Sequence, residues 1–210
     1  MRRAAGCFGL LLAFCALTRA QGVSEVDQLA PGRFLVAGRD LGDPNFAEAV
    51  VLLVQYSEQR GAMGVIINRR TDVPISRVLN DLKEAQNRAD LIYVGGPVEL
   101  NSLIAPLRSA DKLDGAKKIF GDVYLMSSKE LLQKTLASRV DANVFHAFLG
   151  YAGWQPGQLE HEVDAGAWHI MPADAAEVFH SDPDSVWPRL IRRTETQIAA
   201  APAQWRRAAR

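Results

Sequence analysis

An α+β domain with a mixed, largely antiparallel sheet and short flanking helices is predicted by three features of this 210-residue sequence. Residues 49–56 (AVVLLVQY) form a continuous apolar run rich in β-branched side chains, as a strand buried on both faces requires. Gly61 to Gly64 then turns the chain into Val65-Ile66-Ile67, close enough in sequence to pair back as a hairpin. Hairpins and helices follow in mixed order, which argues against a doubly wound parallel sheet.

The remaining elements follow in order. Pro74 suits the first turn of a helix, and Ile75, Val78, Leu79 and Leu82 repeat at the spacing of one helical face. Residues 91–94 (LIYV) read as a strand that ends at Gly95-Gly96-Pro97. Residues 122–126 read as another strand. Ser127 with Glu130 then predicts a capping box at the head of a helix carrying Leu131, Leu132 and Leu136. A strand is expected over residues 144–149, entering the glycine-rich stretch up to Trp154. A short helix is expected over 158–162, a strand over 168–171, and closing helices over 174–179 and 185–192.

Composition places these elements in one domain. Apolar residues make up 48% of the chain and charged residues 23%, ordinary for a globular protein and too apolar for disorder. Residues 1–20 read as a cleavable signal peptide: Arg2 and Arg3 precede an apolar stretch from Gly6 to Leu17, and Thr18 and Ala20 set a cut after Ala20. The expected location is periplasmic or secreted. A lipid anchor at Cys15 is the lesser alternative, because bulky Phe14 precedes it. Both cysteines, Cys7 and Cys15, lie in this leader, so the mature chain would hold neither a disulfide nor a cysteine nucleophile. Residues 21–193 form the domain, and 194–210 an Ala/Arg-rich tail expected to fray.

The formal net charge of zero hides an asymmetry. Six arginines and one acid lie between Arg189 and Arg210, leaving the body from Gln21 to Pro188 at −8. An acidic body gives no case for nucleic-acid binding, and the basic tail is the one segment suited to a membrane surface or anionic partner.

Four segments carry a family resemblance: residues 43–46 (DPNF), 61–69 (GAMGVIINR), 95–98 (GGPV) and 149–160 (LGYAGWQPGQLE), followed by Glu162 and Gly166-Ala167-Trp168. In this order and spacing the chain resembles the YqgE/AlgH family. The resemblance implies a compact α/β-type fold and no established enzymatic activity, and one member is named for a proposed role in regulating alginate production. The chain departs from the family pattern by carrying Asn68-Arg69-Arg70 where Asn-Arg-Pro is usual, and by lacking a histidine after Val98.

The matched residues supply the candidate site: Asn45, Asn68, Arg69, Gly95, Gly96, Pro97, Trp154, Gln158 and Glu160. Gly95 and Gly96 are permissive residues whose backbone N–H groups would face a ligand. Arg69 would grip a carboxylate or phosphate with two parallel bonds. Trp154 would offer an aromatic plate beside Gln158 and Glu160. Each also has a purely structural reading, as turn, cap or core.

Enzyme signatures are mostly absent, with no Gly-x-Ser-x-Gly elbow, phosphate-binding loop or dinucleotide fingerprint. His161, Glu162, Asp164 and His169 make a poor metal set, since adjacent residues on a helix point apart. No cofactor is expected. The reading is therefore an exported, non-enzymatic binding or interaction domain for an unidentified protein or small anionic ligand. Its rivals are a cytoplasmic regulator of gene expression and a hydrolase using carboxylates such as Asp43 and Glu160.

Overall fold

The computed structural model describes residues 25–200. The leader with Cys15 and the cut after Ala20, and the last ten residues of the tail, lie outside them. The chain runs β1 (Arg33–Ala37), β2 (Val50–Ser57), β3 (Gly61–Ile66), β4 (Arg70–Pro74), α1 (Ile75–Val78), β5 (Leu91–Val94), β6 (Val98–Ile104) and β7 (Pro106–Arg108). It continues with β8 (Ala116–Phe120), β9 (Val123–Met126), α2 (Lys129–Ala137), β10 (Phe148–Trp154), α3 (Gln158–Asp164), β11 (Trp168–Pro172), α4 (Ala175–Val178) and α5 (Val186–Ala200).

Among the described residues eight strands form the main sheet, in the order β11-β1-β2-β3-β10-β5-β4 with β6 also paired to β10, and of these pairs only β10–β5 is parallel. A second sheet of three strands runs β7-β9-β8. The predicted α+β class and largely antiparallel sheet are what the chain adopts. Val50 to Val54 of β2 are all buried, because both faces of the sheet are covered there. A larger core surrounds β1, β2, β3 and α5, and a smaller one joins Ile75, Ile92, Leu107, Leu136 and Phe145.

Several boundaries differ from expectation, each for a local reason. Gly61 to Gly64 belongs to β3 itself, and the turn falls on Glu58 to Arg60. The helix expected from Pro74 to Leu82 stops after one turn, and Leu82 caps a separate 3-10 turn over Lys83–Ala85. Polar Asn80 and Asp81 interrupt it and stay in solvent. Ser128, not Ser127, caps α2 by accepting from the Leu131 N–H at 3.1 Å. Ser127 instead donates to the Gly115 carbonyl, so Glu130 falls one position short of closing a capping box.

The strand expected over 144–149 is β10, displaced to Phe148–Trp154 so that the glycine-rich stretch is sheet rather than loop. Two chain segments meet there closely. A Cβ on Gly96, whose φ is 154°, would lie 2.2 Å from the Tyr151 carbonyl carbon, and one on Gly95 would lie 2.3 Å from the Gly150 oxygen. Glycine is required at both because backbone packs on backbone.

Candidate functional site

The family-matching residues come together around one carboxylate, Glu162. Its Oε2 accepts from the indole N–H groups of Trp154 and Trp168, both at 2.8 Å, and its Oε1 accepts from Gln158 Nε2 at 2.9 Å. Trp154 and Trp168 are 4% and 0% exposed, so their N–H groups need internal partners. Phe46 closes the cluster, stacking on Trp154 at 5.9 Å and meeting Trp168 edge-on at 5.6 Å.

The loop bearing Phe46 is itself tied down. Asn68 Oδ1 accepts from the Val50 N–H at 2.8 Å, and its Nδ2 donates to the Glu48 carbonyl at 2.9 Å. These bonds hold Glu48, whose φ is 57°. Arg69 donates to the Ala47 carbonyl at 3.2 Å, and burial lowers its pKa against the pull of Asp43. The Asn45 N–H donates to Asp43 Oδ1 in a local turn, and the Asn45 side chain is exposed.

Glu160 accepts from the Tyr56 hydroxyl at 2.8 Å. Burial and this bond push the Tyr56 pKa up to about 12. The Gly95 N–H does not face a ligand, because it donates to the Leu149 carbonyl at 2.8 Å, and Gly96 is buried against β10. Pro97 alone of the three is exposed. Thus Asn68, Arg69, Trp154 and Gln158 form one contiguous structural knot, while Gly95 and Gly96 sit at a backbone crossing. Asp43 and Glu160, the carboxylates of the hydrolase reading, are each engaged in these local bonds. Among the described residues no group of three or more His, Cys, Asp or Glu is placed to hold a metal ion.

A different region leaves a polar atom free. A cleft of about 310 Å³ opens between β4, β5 and the segment before β10, lined by Arg70, Asp90, Tyr93, His146, Phe179 and Ser181 among others. His146 is 6% exposed. Its ring stacks on Tyr93 at 4.5 Å and meets Phe179 edge-on at 5.3 Å. The Tyr93 hydroxyl lies 3.5 Å from Nε2, while Nδ1 has no hydrogen-bond partner. Among the described residues it is the one buried side-chain polar atom left so.

Burial pulls the His146 pKa down to about 4, outweighing the Val178 and Ala142 carbonyls and the Asp90 carboxylate, which favour the charged ring. Burial raises the Tyr93 pKa, and nearby Arg70 opposes it. Asp90 is held by Arg88 through two bonds of 2.6 and 2.8 Å, and its pKa stays low because these outweigh its burial. A second hollow of about 270 Å³ lies at the end of α2, but the Arg88 guanidinium beneath it is spent on Asp90 and the carbonyls of Leu136 and Val140.

Sequence reasoning passed over this cleft. Its one signal was His146 itself, a lone polar side chain inside the apolar run Val144 to Leu149. Arg70 and Tyr93 join it only through the β4–β5 pairing, in which they are cross-strand partners.

The comparisons with known proteins agree with this architecture. A UPF0301 protein of Streptomyces avermitilis is 36% identical over 187 residues, covering 85% of this chain and 93% of its own length. One from Chlorobium limicola is 32% identical over 171 residues, covering 81% and 89%. The solution structure of the AlgH protein from Pseudomonas aeruginosa superposes with a TM-score of 0.64 at 31% identity, over 82% of this chain and 94% of that one. A crystal structure from Corynebacterium diphtheriae gives 0.65 at 25% identity, over 87% and 92%. Residues 34–199 match the AlgH-like family, DUF179, and with that span taking in most of the chain the chain belongs to this family.

Proposed function

We propose that this protein is a non-enzymatic binding domain that takes a small ligand in the cleft over His146. The observation that carries the reading is the cleft of about 310 Å³, in whose wall buried His146 and Tyr93 and the exposed Arg70 stand beside apolar side chains. The cleft combines the polar groups of Arg70, Tyr93 and Ser181 with the apolar side chains of Phe145, Phe179 and Ala147, the usual make-up of a small-molecule site. A histidine held at a pKa of about 4 is a weak base at neutral pH, which favours hydrogen bonding over proton abstraction.

The candidate residues around Glu162 keep their polar groups occupied with one another, so the binding role falls to the cleft. Export belongs to the same reading, with the leader cut after Ala20 and the domain meeting its ligand outside the cytoplasm. The intact mass of the native protein from periplasmic and cytoplasmic fractions tests that part. A periplasmic species beginning at Gln21 supports it, and a full-length cytoplasmic species overturns it.

Thermal denaturation against a library of small polar-headed compounds tests the binding reading, using the wild type and Ala142→Trp. Ala142 is exposed at the cleft, so the larger side chain fills the opening without entering the core. Compounds that stabilise the wild type and not the variant are expected. Equal stabilisation of both, or turnover of generic ester, phosphate or glycoside substrates, would overturn it.

A further inference from the structure

Part of the cleft wall is chain that no strand holds. Ala142 and Asn143 line the opening, are exposed, and lie in the turn between α2 and β10. Their position is therefore set by what grips the chain on either side. On the β10 side the sheets do so. The Val144 carbonyl accepts from the Arg108 N–H at 2.8 Å, and the Ala147 carbonyl accepts from the Tyr93 N–H at 2.9 Å. On the α2 side the Val140 carbonyl accepts from the Arg88 guanidinium at 2.8 Å.

Arg88 does more than balance Asp90. It donates to both Asp90 oxygens, at 2.6 and 2.8 Å, and another N–H reaches the Leu136 carbonyl in the last turn of α2 at 3.3 Å. Asp90 lines the cleft one residue before β5, and the Phe145 ring, which also lines it, lies 5.7 Å from the guanidinium. Arg88 is buried, so water competes little for these bonds. One rigid fork thus joins the start of β5, the end of α2 and the unstructured wall. A lysine ammonium is a point charge and cannot hold the same set of acceptors.

Resting on the reading of the cleft as a ligand site, we infer that Arg88 is its positioning residue. The guanidinium is not part of the lining. It acts through Val140, Asp90 and Phe145, and holds the wall from Val140 to His146 in register with β5. Loss of the fork frees that wall without unfolding the main sheet.

Arg88→Lys tests this, because it keeps the charge beside Asp90 and gives up the fork. Amide hydrogen exchange reads the wall without a ligand, since the N–H groups of Val144, Phe145 and His146 are bonded at 3.1, 3.2 and 3.4 Å. Their exchange is expected to rise about tenfold or more, while the buried amides of β2 keep wild-type protection. Calorimetric affinity for a compound that stabilises the wild type but not Ala142→Trp is expected to fall about tenfold. Should the lysine variant not fold, Arg88→Met with Asp90→Asn removes both charges together, and the same local rise in exchange is expected. Wall exchange at the wild-type rate, or an equal rise in β2, would overturn the inference and leave the cleft a ligand site. A faster-exchanging wall with unchanged affinity would do the same. A screen that yields no such compound would remove the cleft reading and this inference together.

Discussion

At Glu162 one carboxylate takes the N–H groups of two buried indoles and a glutamine amide, whereas at His146 a ring nitrogen buried almost as deeply takes nothing. Both regions are aromatic clusters packed on the main sheet, and both contain a titratable group. They differ in whether the polar atoms close on each other. The Glu162 cluster is closed, and its residues stabilise the loop from Asp43 to Glu48 through Phe46, Asn68 and Arg69. The His146 cluster is open, with one ring nitrogen lacking a well-formed hydrogen bond beside a cleft. Buried polar groups are almost always satisfied in folded proteins, so the open cluster is the one that calls for a functional explanation. Changes in the closed cluster should therefore cost stability, and changes in the open one should alter binding and pH response.

The largest effect is expected at the closed cluster. Glu162→Ala strands two indole donors whose rings are 4% and 0% exposed, and should lower the unfolding free energy by about 4 kcal/mol. Urea denaturation measures it, and a loss under about 1 kcal/mol would mean that the carboxylate is not what holds the two indoles.

The second effect is a pH slope set by the open cluster. His146 titrates near 6.5 when unfolded and at about 4 when folded. Between those values the unfolded chain takes up a proton that the folded protein refuses, so stability falls as pH falls through the window. For His146 alone the loss is on the order of 3 kcal/mol. Facing its ring are Asp90 and Arg70 as charges, with Tyr93 stacked on it and His180 at the cleft wall. His169, also held low by burial, adds a loss of the same sign elsewhere. His146→Phe should flatten the part of the slope that belongs to His146. An identical slope in wild type and variant would show that the ring is not held neutral by burial.

The smallest effect separates loop anchoring from ligand binding. Asn68→Ala removes the bonds to Val50 and Glu48 and should cost about 1–2 kcal/mol. Its affinity for any cleft ligand should stay at the wild-type value, and a large loss of affinity would tie the two regions together.

The closed cluster was partly legible in the sequence and the open one was not. Trp154, Gln158, Asn68 and Arg69 stood out because they sit in motifs that match a family. Motif membership, however, does not distinguish a side chain bound to its neighbours from one facing a ligand. Glu162 entered only as a motif residue and a poor metal ligand, yet it is the acceptor that organises the others. The sheet was readable where apolar runs were long, as in β2. Strands β4, β6 and β8 carry no continuous apolar run to mark them, because exposed polar residues such as Asp72, Asn101 and Lys117 interrupt each. The cleft depends on β4 pairing with β5, so missing β4 meant missing Arg70 beside Tyr93.

The most direct test of the contrast is to follow side-chain resonances while a compound that stabilises the wild type but not Ala142→Trp is titrated in. The ring signals of His146, Tyr93 and Phe179 report on the open cluster, and the indole N–H signals of Trp154 and Trp168 report on the closed one. Saturable shifts at His146, Tyr93 and Phe179 with the two indole signals unmoved are the expected result. Saturable shifts confined to Trp154 and Trp168 would place the ligand site at the closed cluster and contradict the account.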